Sequence, residues 1–211
     1  MIDGYFKAKI DLFWNRIAQV LVALNLAPNM ITWIGLLLVL ASCLFYLLYE
    51  NNLVFGLLLA LSFSFDALDG AVARITRNAS KYGGYLDAVI DRYQELAIYL
   101  VLAYVTNFWG ICFLAITGSL LVSYNKARTA VEIPINNENW PDLTERLERI
   151  ILVCAGLILD PFITMPAPLN NSFLFNIILL TGILAHITAI QRFFRARKML
   201  RKKPLMDNDW Q

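Results

Sequence analysis

Apolar residues run in long blocks, and the polar residues that interrupt them do so at helical intervals. Between 2 and 24, Phe6, Ile10, Phe13, Trp14, Ile17 and Leu21 alternate with Asp3, Lys7, Lys9, Asp11 and Arg16. That is an amphipathic helical stripe, suited to a helix lying in a membrane interface or packed on a soluble partner. "LAPNMIT" breaks the helix at Pro28 and restarts it. Six apolar segments follow, at 30–49, 52–74, 84–106, 108–131, 143–159 and 173–194, each close to the length that crosses a bilayer. Short loops join them, except "EIPINNENWPDL" and "DPFITMPAPLNN". Asp142 followed by Glu145 predicts a capped start for the fifth segment. The pattern predicts an all-α integral membrane protein. An interfacial helix (1–28) precedes one membrane domain of six transmembrane helices (29–211).

Composition supports this reading. Of 211 residues, 59% are hydrophobic and 16% charged, more apolar surface than a soluble domain of this size buries. Nothing at the N-terminus reads as a cleavable signal, because its basic residues are interleaved with apolar ones. Cys43, Cys112 and Cys154 sit inside apolar runs without metal-knuckle spacing, and no disulfide is expected. Charge then orients the chain. With the N-terminus in the cytoplasm, the outward loops fall near Glu50, near Asn107 and at 160–172, and none holds a Lys or Arg. All 18 basic residues fall on the other side or in the cytoplasmic ends of spans, the positive-inside pattern. Both termini are therefore expected in the cytoplasm of a multi-pass cell-membrane protein. Trp14, Trp33, Tyr46 and Tyr49 are expected in the aromatic belts.

The stretch "FDALDGAVARITRNASKYGGYLDAVIDRY", 65–93, breaks the apolar pattern with four aspartates. Asp66, Asp69, Gly70 and Ala73 share one face of the second span, and Gly83, Asp87 and Asp91 share one face of the third. A tight connection makes these spans antiparallel neighbours, so two pairs of carboxylates converge near the inner interface. One aspartate at mid-bilayer costs roughly 2.5–3.5 kcal/mol, so two cost about 5–7. The nine large apolar residues between Leu53 and Phe65 offset only about 3–5 kcal/mol. The carboxylates must therefore lie toward the helix ends, in a wet cavity or against a cation. With no His or Cys nearby, an oxygen-only donor set favours Mg²⁺, Mn²⁺ or Ca²⁺ over zinc. Four carboxylates suffice for two ions bridging a pyrophosphate, and Arg74 and Lys81 add positive charge at the same rim. Spacing alone leaves three readings open: a phosphoryl-transfer enzyme, a proton- or cation-coupled transporter, and a buried network pairing Asp66 and Asp69 with Arg74 and Arg77, and Asp91 with Arg92.

Written out, the stretch is Asp66-x2-Asp69-Gly70-x2-Ala73-Arg74-x8-Gly83-x3-Asp87-x3-Asp91, eight specified residues over twenty-six positions. It resembles the signature of the CDP-alcohol phosphatidyltransferase family with every spacing intact, and "APNMIT" before the first span is also family-like. The resemblance covers essentially the whole chain. It implies transfer of a phosphate-containing group from a CDP-linked lipid donor to an alcohol, with release of CMP. It implies two divalent ions, Mg²⁺ or Mn²⁺, on Asp66, Asp69 and Asp87. Asp91 would touch the second ion and act as the base on the acceptor hydroxyl. Gly70, Arg74 and Ser80 would hold the CDP part, with Asn29 and Thr32 lining the nucleotide pocket. The resemblance further implies a homodimer, and no nucleic-acid partner is expected.

The acceptor rests on the remaining basic residues. Lys126 and Arg128, Arg146 and Arg149, and Arg192 and Arg195 stand at the inner ends of the last three spans and can face one cytoplasmic cavity. A cationic pocket suits an acceptor that itself carries phosphate. This resembles the branch that makes phosphatidylinositol phosphate or its archaeal ether-lipid counterpart, with Lys126, Arg149 and Arg192 on the phosphate of inositol phosphate. Glycerol-3-phosphate is the alternative acceptor, and positive-inside anchoring is the alternative role for these residues. His186 in "ILAHITAI" is expected to be a hydrogen-bonded packing residue, and "RARKMLRKK" to attract anionic headgroups.

Overall fold

The computed structural model describes residues 5–135, 142–166, 169 and 172–202, with backbone alone at 5–13, 67 and 202. The polar and apolar stripe expected at 2–13 lies outside the described side chains. Among the described residues seven α-helices follow in order: α1 Tyr5–Ala23, α2 Pro28–Tyr49, α3 Asn52–Ile75, α4 Lys81–Thr106, α5 Trp109–Glu132, α6 Arg146–Leu159 and α7 Phe173–Lys202. A 3₁₀ turn, Asp160–Phe162, extends α6. Among the described residues the only β pairing is an isolated bridge between Thr164 and Ser172.

The helix boundaries fall close to the six apolar segments, and local chemistry explains why. Pro28 occupies the first turn of α2, where its missing N–H is harmless. Asn51 caps α3 by accepting from Val54 N at 3.0 Å. Glu50 and Asn107 take left-handed backbone at φ 50° and 60°, each ending the helix before it. The start of α6 differs from expectation. Glu145, not Asp142, is the N-cap, in a capping box closed by Glu148. Asp142 is drawn instead to Arg192 across the fold, where a charged donor outcompetes a backbone N–H.

Among the described residues, four helices are long and apolar enough to cross a membrane: α2, α3, α5 and α7. That is fewer than the six segments the pattern predicts. Asp87, Asp91, Arg92 and Glu95 punctuate α4. The 14 residues of α6 reach only about 21 Å against a hydrocarbon core of ~30 Å.

The chain forms two compact units, one ending at Val105 and one beginning at Thr106. Helix α1 belongs to the first unit. Its Ala18 is buried with Ile31, Leu68, Ala71 and Val72, and Trp14, Ile17 and Leu21 pack around them. In the same unit α2 packs on α3. Tyr46 is fully buried there, stacked on Phe55 at 4.3 Å with its hydroxyl donating to Asn52 Oδ1 at 2.6 Å. Tyr46 is therefore a core residue rather than part of an aromatic belt, whereas Trp33 and Tyr49 are exposed.

In the second unit α7 packs on α5 and α6. Gly118 and Gly182 let the backbones of α5 and α7 approach closely, as small residues do between membrane helices. His186 Nε2 lies 3.1 Å from Leu114 O; a carbonyl only accepts, so this nitrogen donates, and His186 is the hydrogen-bonded packing residue expected. The three cysteines are free and buried.

Candidate active site

The signature folds as the α3–α4 hairpin of the first unit. Asp69 is buried, and its Oδ2 accepts from Thr32 Oγ1 of α2 at 2.6 Å. The Thr32 hydroxyl also lies 3.2 Å from Pro28 O. It has one hydrogen, and the shorter contact to an ionised oxygen takes it. Asp66 Oδ1 accepts from Gln94 Nε2 of α4 at 3.4 Å. A Cβ on Gly35 would stand 3.3 Å from that same oxygen, so the glycine allows α2 to pass directly over the carboxylate. Both Asp66 and Asp87 lie within electrostatic range of Asp69.

Asp91 is also buried, and Arg92 Nη2 reaches its Oδ2 at 3.3 Å while Arg92 Nε reaches Glu95 at 3.4 Å. The ion network considered from the sequence is thus present for Asp91. Asp66 and Asp69 instead meet neutral donors, Gln94 and Thr32.

The residues expected on the nucleotide gather around the connecting end of the hairpin, at the last turns of α3 and the start of α4. Ser80 Oγ accepts from Gly83 N at 3.0 Å, capping α4. A Cβ on Gly83 would stand 3.2 Å from both Asn29 Oδ1 and Ser80 Oγ, so these three residues form one surface. Arg74 lies exposed in the last turn of α3, its Nη1 3.5 Å from where a Gly70 side chain would begin.

Among the described residues, no three His, Cys, Asp or Glu side chains stand close enough to hold one metal ion as they lie. The donor set still fits a hard divalent cation. It consists of carboxylate oxygens on two adjoining helices, with neutral hydrogen-bond donors on Asp66 and Asp69 that a rotamer change would release.

The residues expected on the acceptor all lie in the second unit, and the structure pairs two of them internally. Arg149 is 2% exposed, with Nη2 donating to Ser119 Oγ at 2.9 Å and Nη1 to Thr144 O at 3.4 Å. Arg192 grips Asp142 with Nε and Nη2, at 3.0 and 2.5 Å, and Val122 O with Nη1. Lys126 is half-buried. Arg128 pairs with Glu132 on its own helix.

Sequence reasoning missed Gln94, Gly35 and Asp142. Gln94 had a signal: it continues the Asp87–Asp91 face of α4 and is fully buried in an apolar helix. Gly35 and Asp142 act through contacts with distant segments, and nothing local marks them.

The CDP-alcohol phosphatidyltransferase family matches residues 25–192. The chain is similar to the archaetidylinositol phosphate synthase of Pyrococcus horikoshii, 38% identical over 188 residues that cover 88% of this chain and 92% of that protein. The archaetidylinositol phosphate synthase of Methanothermobacter thermautotrophicus is 32% identical over 190 residues, 89% and 90% of the two chains. Among solved structures, the phosphatidylinositol phosphate synthase of Mycobacterium tuberculosis with CDP-DAG bound superposes with a TM-score of 0.74 at 25% identity, over 87% of this chain and 92% of that one. The same enzyme in complex with manganese and citrate gives a TM-score of 0.74 at 25% identity, over 87% and 88%. The spacing of the eight signature residues, the hairpin that carries them and these similarities agree: the chain belongs to the CDP-alcohol phosphatidyltransferase family and is a membrane-bound transferase of phospholipid biosynthesis.

Proposed function

We propose that this enzyme transfers a phosphatidyl-type group from a CDP-linked lipid to a hydroxyl of inositol phosphate, releasing CMP. The observation that carries the reaction is the α3–α4 hairpin, with Asp66 and Asp69 on one helix and Asp87 and Asp91 on the next. Two divalent ions, Mg²⁺ or Mn²⁺, held by these four carboxylates would neutralise the donor diphosphate and the charge that develops on departing CMP. Thr32 orients Asp69, and Gln94 orients Asp66. Asn29, Ser80, Gly70 and Arg74 receive the cytidine and phosphate groups at the connecting end of the hairpin. Asp91 takes the proton of the acceptor hydroxyl as the new P–O bond forms and the bond to CMP breaks.

The inositol phosphate acceptor is supported by the names of the relatives and by the cationic trio Lys126, Arg149 and Arg192. Arg149 and Arg192 enter as a preorganised frame, each already fixed by internal hydrogen bonds. Lys126, less buried, is the most adaptable of the three. In this reading α4 and α6 also cross the bilayer, the termini and active site face the cytoplasm, and the enzyme works as a homodimer.

The test is CMP release by purified protein in detergent with a CDP-lipid donor, with and without Mg²⁺ or Mn²⁺. Inositol phosphate, glycerol-3-phosphate, free inositol and serine are supplied in parallel. Metal-dependent release with inositol phosphate alone supports the proposal. Release with glycerol-3-phosphate alone replaces the acceptor and keeps the chemistry. No release with any acceptor, together with ion flux in sealed vesicles, returns the aspartates to a transporter. Lys126→Gln is expected to raise the acceptor KM and leave the donor KM unchanged.

A further inference from the structure

One face of α7 changes character along its length. Ile187, Ile190, Gln191, Phe194 and Arg195 fall at offsets of three, four, seven and eight, a single helical stripe. Together with Asp142 and Leu143 this stripe lines a cavity of about 610 Å³. Ile187, Ile190, Phe194 and Leu143 are each at least 42% exposed, so the cavity is open and mainly apolar.

Its position follows from helix length. The 30 residues of α7 reach about 45 Å, some 15 Å more than a hydrocarbon core. A helix that enters the core at Phe173 therefore leaves it near 192. The stripe turns from Ile187 and Ile190 to Gln191 and Arg195 at that depth, where acyl chains give way to headgroups. The charge there is positive. Arg192 and Arg195 both contact Asp142, and Arg197, Lys198 and Arg201 follow on the same helix.

We propose that this cavity binds one anionic phospholipid of the surrounding bilayer. The lipid phosphate lies against Arg195 and Gln191, and an acyl chain lies along Ile187, Ile190, Phe194 and Leu143. A phosphorylated polyol is a poor match, since it would hold four apolar side chains against its hydroxyls. The site adjoins Arg192 of the proposed acceptor trio through Asp142, but lipid binding there does not depend on which acceptor is used.

The experiment is native mass spectrometry of the detergent-solubilised protein offered equal amounts of phosphatidylglycerol and phosphatidylcholine. A surface arginine attracts an anionic lipid by about 1 kcal/mol, so about fivefold preferential retention of phosphatidylglycerol is expected from Arg195. Arg195→Gln should bring the two lipids to parity, and Ile190→Trp, at an exposed position, should reduce retention of phosphatidylglycerol by filling the groove. Excess inorganic phosphate should leave the lipid bound. Parity in the unaltered protein overturns the proposal, as does a preference that survives Arg195→Gln. Displacement by inorganic phosphate would make the cavity a free-anion site instead. Should Arg195→Gln fail to fold, undiminished retention by Ile190→Trp would itself reject the site.

Discussion

The Arg192 guanidinium closes on both carboxylate oxygens of Asp142, Nε to Oδ1 at 3.0 Å and Nη2 to Oδ2 at 2.5 Å. Arg195 adds a third contact to Oδ1 at 3.3 Å. The side chains of Arg192 and Asp142 are 6% and 0% exposed, so water screens the pair weakly. Through it, the segment before α6 is fastened to the basic end of α7.

Breaking this pair from one side should be severe. Asp142→Ala leaves two guanidinium groups facing one another around a buried site, and the expected loss is about 3–5 kcal/mol. Thermal unfolding in detergent measures it. Asp142→Ala combined with Arg192→Met should recover part of the loss, since the second change removes the stranded charge. A double variant no more stable than the single one would contradict the account.

Thr32 bears on catalysis through Asp69. Thr32→Val keeps the shape and removes the hydroxyl, and a hydrogen bond to a charged group contributes about 1.5–3 kcal/mol. CMP release should fall roughly ten- to a hundredfold, while Thr32→Ser should retain most of it. Equal activity of the valine and serine variants would show that the 2.6 Å contact does not position Asp69 for the reaction.

Asp66 and Asp91 should separate donor binding from turnover. Asp91→Asn is expected to lower turnover by about 10²-fold or more, the contribution of a general base, while binding CDP-lipid better than Asp66→Asn does. Calorimetric titration of donor into each variant decides this. Equal losses of donor binding would remove the division of labour.

Two glycines of α5 offer a matched comparison of packing. A Cβ at Gly118 would lie 2.8 Å from Ala185 Cβ and 3.2 Å from the backbone N of His186, whereas one at Gly110 meets nothing within 4 Å. Gly118→Ala should destabilise the protein by about 1–3 kcal/mol through overpacking. Gly110→Ala should be neutral, or stabilising by up to about 1 kcal/mol, because alanine is the better helix former. Melting temperatures of the two variants, measured in the same detergent, provide the check.

The sequence by itself determined most of the helices and the chemistry of the hairpin. Apolar blocks end where Pro28, Asn51, Glu50 and Asn107 end them, because caps and reversals are local. The family followed from the spacing of Asp66 through Asp91, since positions three and four apart share a helix face whatever the tertiary fold. Membrane crossing was legible only in part. Periodicity reports that α4 and α6 are apolar helices, but buried charge in one and shortness in the other set them apart from the four clear spans.

Tertiary structure decided which partner each polar group takes. Asp142 sits three residues before Glu145 and reads as a helix cap, yet it crosses fifty positions to meet Arg192. Tyr46 reads as an interfacial aromatic and is instead packed on Phe55. Asp69 reads as one of four converging carboxylates, and only the packing of α2 on α3 gives it Thr32 as its hydrogen-bond donor. The physical reason is common to all three. Helix formation is governed by neighbours within four residues, whereas a buried polar group is satisfied by whatever the fold brings within about 3 Å, and one chain read in order does not contain that list.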